Sequence, residues 1–63
     1  MPSGKGEIMR RIIAWWTRDI SKRLREMGYE PNPLEFNTWE KGGVSVVIKH
    51  DSMTDMFYVD LPL

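Results

Sequence analysis

The chain has 63 residues, of which 41% are hydrophobic and 29% charged, with nine basic and nine acidic side chains and no cysteine. That length allows one small module, and the composition excludes the disordered, collagenous and disulfide-stapled classes. No apolar run approaches the roughly 18 residues of a membrane-spanning helix, and the opening residues do not read as a secretory leader. The absence of cysteine fits a cytoplasmic protein.

Residues 1–6, Met-Pro-Ser-Gly-Lys-Gly, read as a flexible N-terminal arm. Residues 7–27 read as one amphipathic helix. Ile8, Met9, Ile12, Ile13, Trp16, Ile20, Leu24 and Met27 recur at the three-four spacing of a helix face. Glu7 in the first turn and Arg23 and Arg25 near the last suit the helix dipole. Gly28 supplies a left-handed stop, and Pro31 and Pro33 prevent continuation. Tyr29 is then placed to fold back on Leu24. At 1.5 Å per residue such a helix is roughly 30 Å long.

Three strands follow, at 34–40, 44–50 and 56–61, each rich in β-branched or aromatic residues. A three-residue loop, Lys41-Gly42-Gly43, places Phe36 opposite Ile48, Thr38 opposite Val46 and Glu35 opposite Lys49. A two-residue loop splits the apolar set, so the three-residue register is preferred. On the next hairpin Ile48 meets Phe57, Val46 meets Val59 and Val44 meets Leu61. The expected core face is Leu34, Phe36, Val44, Val46, Ile48, Phe57, Val59 and Leu61. The fold class is α+β: one N-terminal amphipathic helix packed on a three-stranded antiparallel β-meander, in a single domain spanning 1–63.

Charge is balanced overall and segregated along the chain. Residues 1–28 carry seven basic and three acidic side chains, a net +4; residues 29–63 carry two basic and six acidic ones, a net −4. Such asymmetry either steers a partner or is satisfied between two elements of one fold. The meander register leaves Trp39, Val47, Met56 and Tyr58 on the outer sheet face. Trp, Tyr and Met are enriched in interface cores, so these four form the expected protein-binding patch. Arg10, Arg11, Arg18, Lys22 and Arg25 share the polar side of the helix, with Trp15 at its border. That set suits a phosphate backbone with a stacking aromatic, although a solvated face is the ordinary role of such a stripe. Overall neutrality weighs against a dedicated nucleic-acid binder.

The chemistry-bearing motifs do not hold up. Ser3-Gly4-Lys5-Gly6 lacks the preceding strand, the glycine spacing and the hydroxyl residue of a phosphate-binding loop. His50-Asp51-Ser52 contains triad residue types, but neighbours in one turn do not adopt triad geometry. His50 with Asp51, Asp55 and Asp60 matches no metal-loop spacing. The expected function is therefore a non-enzymatic protein-binding module of the inhibitor or regulator type, acting by surface occlusion. Its partner would be a larger protein or a second copy, with no cofactor, metal, membrane or small-molecule substrate. The alternative is a nucleic-acid binder using the basic helix face.

Overall fold

The computed structural model describes residues 9–62. In chain order it contains β1 (Met9–Ala14), α1 (Thr17–Glu26), β2 (Glu30–Pro31), β3 (Thr38–Lys41), β4 (Val44–Val47), β5 (Lys49–Asp51) and β6 (Met56–Pro62). The fold is α+β, with one helix and two three-stranded antiparallel sheets, ordered β1-β6-β5 and β2-β3-β4. The expected helix on one meander is corrected in two places: a strand precedes the helix, and the strands divide between two sheets. The expected arm at 1–6, with the Ser3-Gly4-Lys5-Gly6 motif, lies outside the described residues.

From Met9 onward the long helix expected at 7–27 is replaced by β1, a short bend and α1; Glu7 and Ile8 lie outside the described residues. In β1, Ile12 is buried while Arg11 and Ile13 point outward, the two-residue alternation of a strand. The run Ile12-Ile13-Ala14-Trp15-Trp16 explains the change. β-Branched and aromatic side chains lose rotamer freedom in a helix and fit a pleated surface well. Trp16, extended and without a side-chain cap, marks the start of α1. With ten residues, α1 is about 15 Å long.

The end of α1 follows local chemistry. Gly28 takes a φ of 95°, its N–H donates to the carbonyl of Arg25 at 3.0 Å, and that of Tyr29 to Leu24 at 2.9 Å. This is a Schellman motif, with Tyr29 and Leu24 both buried in the core as its apolar contact. Lys41 Nζ adds a bond to the carbonyl of Met27 at 2.6 Å, and so ties the first hairpin to the helix end.

The first hairpin overturns the preferred register. Lys41 pairs with Val44, Glu40 with Ser45, Trp39 with Val46 and Thr38 with Val47. The connection is the two residues Gly42 and Gly43, with φ of 55° and 82°. Two consecutive positive φ values define the tight hairpin turn that matches strand twist, and Gly-Gly adopts it without steric cost. The strand expected from residue 34 begins only at Thr38. Before it, Asn32 Oδ1 accepts from the Leu34 N–H at 2.8 Å, and Asn37 is left-handed at φ 59°. Glu35 is therefore not paired with Lys49.

The strand expected at 44–50 keeps its phase but changes partner midway. Val46 and Ile48 are buried, while Ser45, Val47 and Lys49 are exposed. β4 pairs with β3 and β5 with β6; between them the Ile48 N–H donates to the carbonyl of Asn37 at 2.9 Å. Lys49 faces Tyr58 and His50 faces Phe57, two residues from the expected pairing. A two-residue shift leaves every side chain on its own face.

The core cluster is Ile12, Ile20, Leu24, Tyr29, Trp39, Val46, Ile48, Val59 and Leu61. Val46, Ile48, Val59 and Leu61 stand where the sequence places them, and Phe57 packs against the cluster half-buried. Leu34 and Phe36 do not: they are 91% and 90% exposed, and Val44 is exposed too. Trp39, assigned from sequence to the outer face, is 5% exposed and fills the core instead.

Leu24→Ala is expected to cost about 2–5 kcal/mol. For a chain of this size that is comparable with a total stability of about 3–9 kcal/mol. Circular dichroism should show a largely melted variant. Phe36→Ser should shift urea unfolding by less than about 0.5 kcal/mol. A loss of several kcal/mol on Phe36→Ser would instead favour the three-residue register, which buries Phe36.

Candidate interaction surface

The outward faces of β1 and β6 carry a bidentate ion pair. Arg11 Nε donates to Asp60 Oδ1 at 2.6 Å and Arg11 Nη2 to Oδ2 at 3.0 Å. The same guanidinium lies 4.4 Å over the Tyr58 ring. The hydrogen bond from Arg11 holds the Asp60 carboxyl below its ordinary range. Desolvation opposes this, and the charges of Arg11 and Lys49 reinforce it. The hydrogen bond to Asp60 likewise raises the Arg11 pKa. Part of the charge segregation between the chain halves is thus satisfied inside the fold.

Of the four expected interface residues, Val47 is exposed and Met56 and Tyr58 are half-buried. Trp39 is removed from that patch by its burial; it pairs with Val46, and the Arg25 guanidinium lies 5.2 Å over its ring. The basic set is also divided. Arg10 and Arg11 belong to β1, Trp15 to the bend, and only Arg18, Lys22 and Arg25 to α1. These three are exposed, and their spacing of four and three residues keeps them on one side of the helix.

The largest exposed aromatics are Trp15 and Trp16, at 59% and 63%. They occupy the bend after Ala14, which pairs with Phe57, and Trp16, Thr17, Arg18 and Phe57 line a shallow groove there. The β5–β6 turn lies at this same end, because Asp51 pairs with Met56 next to Phe57. That turn exposes Met53. His50 Nε2 lies 2.9 Å from Asp55 Oδ1, and the His50 ring is 5.0 Å from that of Phe57. Asp51 Oδ1 accepts from the Met53 N–H at 2.9 Å, so His50 and Asp51 have separate roles in the turn, and Ser52 is exposed.

Besides Leu34, Phe36 and Val44, Trp16 and Met53 are exposed residues that the sequence reading did not place on the surface. Trp16 reads as a core position only if the helix begins before it. Two consecutive tryptophans beside a strand cannot both face inward, which is the signal available in the sequence. Among the described residues, no group of three or more His, Cys, Asp or Glu could hold a metal ion. Among them, too, no helix is long and apolar enough to cross a membrane. Comparison with protein-family models, curated proteins and solved structures finds no match.

The depressed Asp60 pKa sets a pH dependence. A carboxyl whose folded pKa lies below its unfolded value of about 3.9 stabilises the fold above that value. The contribution is lost as pH falls through the folded pKa. Asp60→Asn should therefore unfold at lower urea than the parent at pH 7, and the gap should narrow toward about pH 3. A gap constant across that range would show that the ion pair contributes no stability.

Proposed function

We propose that this chain is a small non-enzymatic binding module that docks on a larger protein through its Trp15–Trp16 end. The contact extends onto the outer face of β6 through Met56 and Tyr58; Val47, on β4 of the other sheet, is exposed and shares a shallow groove with Asp60. The observation that carries this reading is the pair of adjacent tryptophans at 59% and 63% exposure, Trp16 lining a groove with half-buried Phe57, at the same end of the sheet as exposed Met53. Large aromatic and methionine side chains supply most of the energy in interface centres, and their exposure on a small monomer leaves apolar area uncovered. Such a module acts by occlusion, as an inhibitor or regulator does, and needs no cofactor. Its cysteine-free composition suits the cytoplasm.

A second reading rests on a separate observation. Arg18, Lys22 and Arg25 form an exposed stripe that begins beside Trp15 and Trp16. A nucleic-acid backbone could track that stripe while a base stacks on Trp15.

One experiment separates the two readings: affinity capture from an extract of the cells that make the protein, with and without nuclease and across a salt series. Protein docking predicts a retained protein that survives nuclease. It should be lost on Trp15→Ser combined with Trp16→Ser and kept on Lys22→Glu. Retention that vanishes with nuclease, falls steeply with salt and is abolished by Lys22→Glu would transfer the function to nucleic acid.

A further inference from the structure

β1 is, with β5, one of the two outer strands of its sheet. β6 occupies one of its edges, and among the described residues no strand occupies the other. It is six residues long and contains neither proline nor glycine. The other outer strands are shorter: β5 has three residues, β4 has four, and β2 has two, of which Pro31 offers no N–H. An open strand of this length presents a row of main-chain donors and acceptors, which is the template for adding another strand.

We propose that a second copy of this chain fills this edge, its β1 pairing antiparallel with β1 around a two-fold axis through Ile12. Opposed residues in such a pair share a face, so the axis must pass through a residue and not between two. An axis at Arg11 would set two Arg11 side chains against each other, an unfavourable cross-strand pair. An axis at Ile13 would carry the pairing into the Trp15–Trp16 bend. At Ile12, Ile12 meets Ile12 on the inner face, Ile13 meets Arg11 on the outer face, and Arg10 meets Ala14. No like charges face each other in this register, and Arg11 keeps its hydrogen bonds to Asp60 of its own copy. Ile13, 55% exposed on the outer face, gains the stem of Arg11 from the other copy. Both α1 helices fall on one side, so the inner layer is continuous. Chains of about 60 residues without a disulfide gain from such assembly. This edge adjoins the Trp15–Trp16 docking face, since Trp15 follows Ala14 directly, but different substitutions test the two readings: Ile13 for the dimer, Trp15 and Trp16 for docking.

The test compares the unmodified chain, Ile13→Lys and Ile13→Glu by sedimentation velocity over a concentration series. Both substitutions change an exposed side chain, and circular dichroism checks that each variant is folded. The unmodified chain should form a dimer. In Ile13→Lys the new charge faces Arg11 of the other copy twice per dimer, and dissociation should rise roughly tenfold. Ile13→Glu faces the same arginine with the opposite sign and should keep or tighten the dimer. A monomer at every concentration would overturn the proposal. So would a dimer that responds equally to both substitutions, or one abolished by Trp15→Ser and Trp16→Ser but insensitive to Ile13.

Discussion

The antiparallel pairing of β1 with β6 is the constraint on which the other elements depend. It joins Met9–Ala14 to Met56–Pro62, almost the full length of the described chain apart. One register places Ile12 beside Val59 toward the core and Arg11 beside Asp60 toward solvent. A two-residue bend then leads directly into α1, so fixing β1 also fixes where Ile20 and Leu24 can reach the core. Closing a loop of this length costs chain entropy that grows only slowly with length, and the apolar face repays it as a unit. The bidentate ion pair adds directional specificity to a contact that burial alone leaves free to slide.

Local chemistry was legible in the sequence, and competition between periods was not. Gly28 and Tyr29 end the helix as their residue types require, because a Schellman motif needs only a few neighbouring residues. The alternation of Val46, Ile48, Val59 and Leu61 gives the inward face of two strands even though one of them changes partner. The first half of the long helix failed because Ile12, Ile13, Trp16 and Ile20 satisfy a helical period across two different elements. Strand propensity in the Ile12–Trp16 run was the competing signal. Nothing in that run is a helix breaker, so periodicity alone extended the helix through it.

The register error had the larger functional consequence. Choosing three loop residues over two exchanged Phe36 for Trp39: one is 90% exposed, the other 5%. The deciding information was turn chemistry. Gly42 and Gly43 both adopt positive φ, and consecutive glycines are strong evidence for a two-residue turn. That evidence outweighs a cleaner apolar alignment, because Asn37 and the prolines around Asn32 break the strand before Phe36 is reached. The candidate surface was legible only in part for the same reason. Met56, Tyr58 and Val47 keep their outward face, while the aromatic centre moves from Trp39 to the bend.

The different fates of the three tryptophans follow from how little one helix can cover. A ten-residue α1, about 15 Å long, shields the middle of the inner face. There Ile20 and Leu24 meet Trp39, whose ring is overlaid by Arg25 on the same helix. The end of the sheet where Ala14 meets Phe57 lies at the start of that helix, and no second layer of the described chain continues over it. Trp15 and Trp16 therefore stay in water although their side chains are the largest apolar groups available. A sequence shaped for stability alone would bury such groups or replace them with polar ones. Two adjacent exposed tryptophans at an end of the sheet that α1 does not shield are the feature on which the proposed docking reading rests.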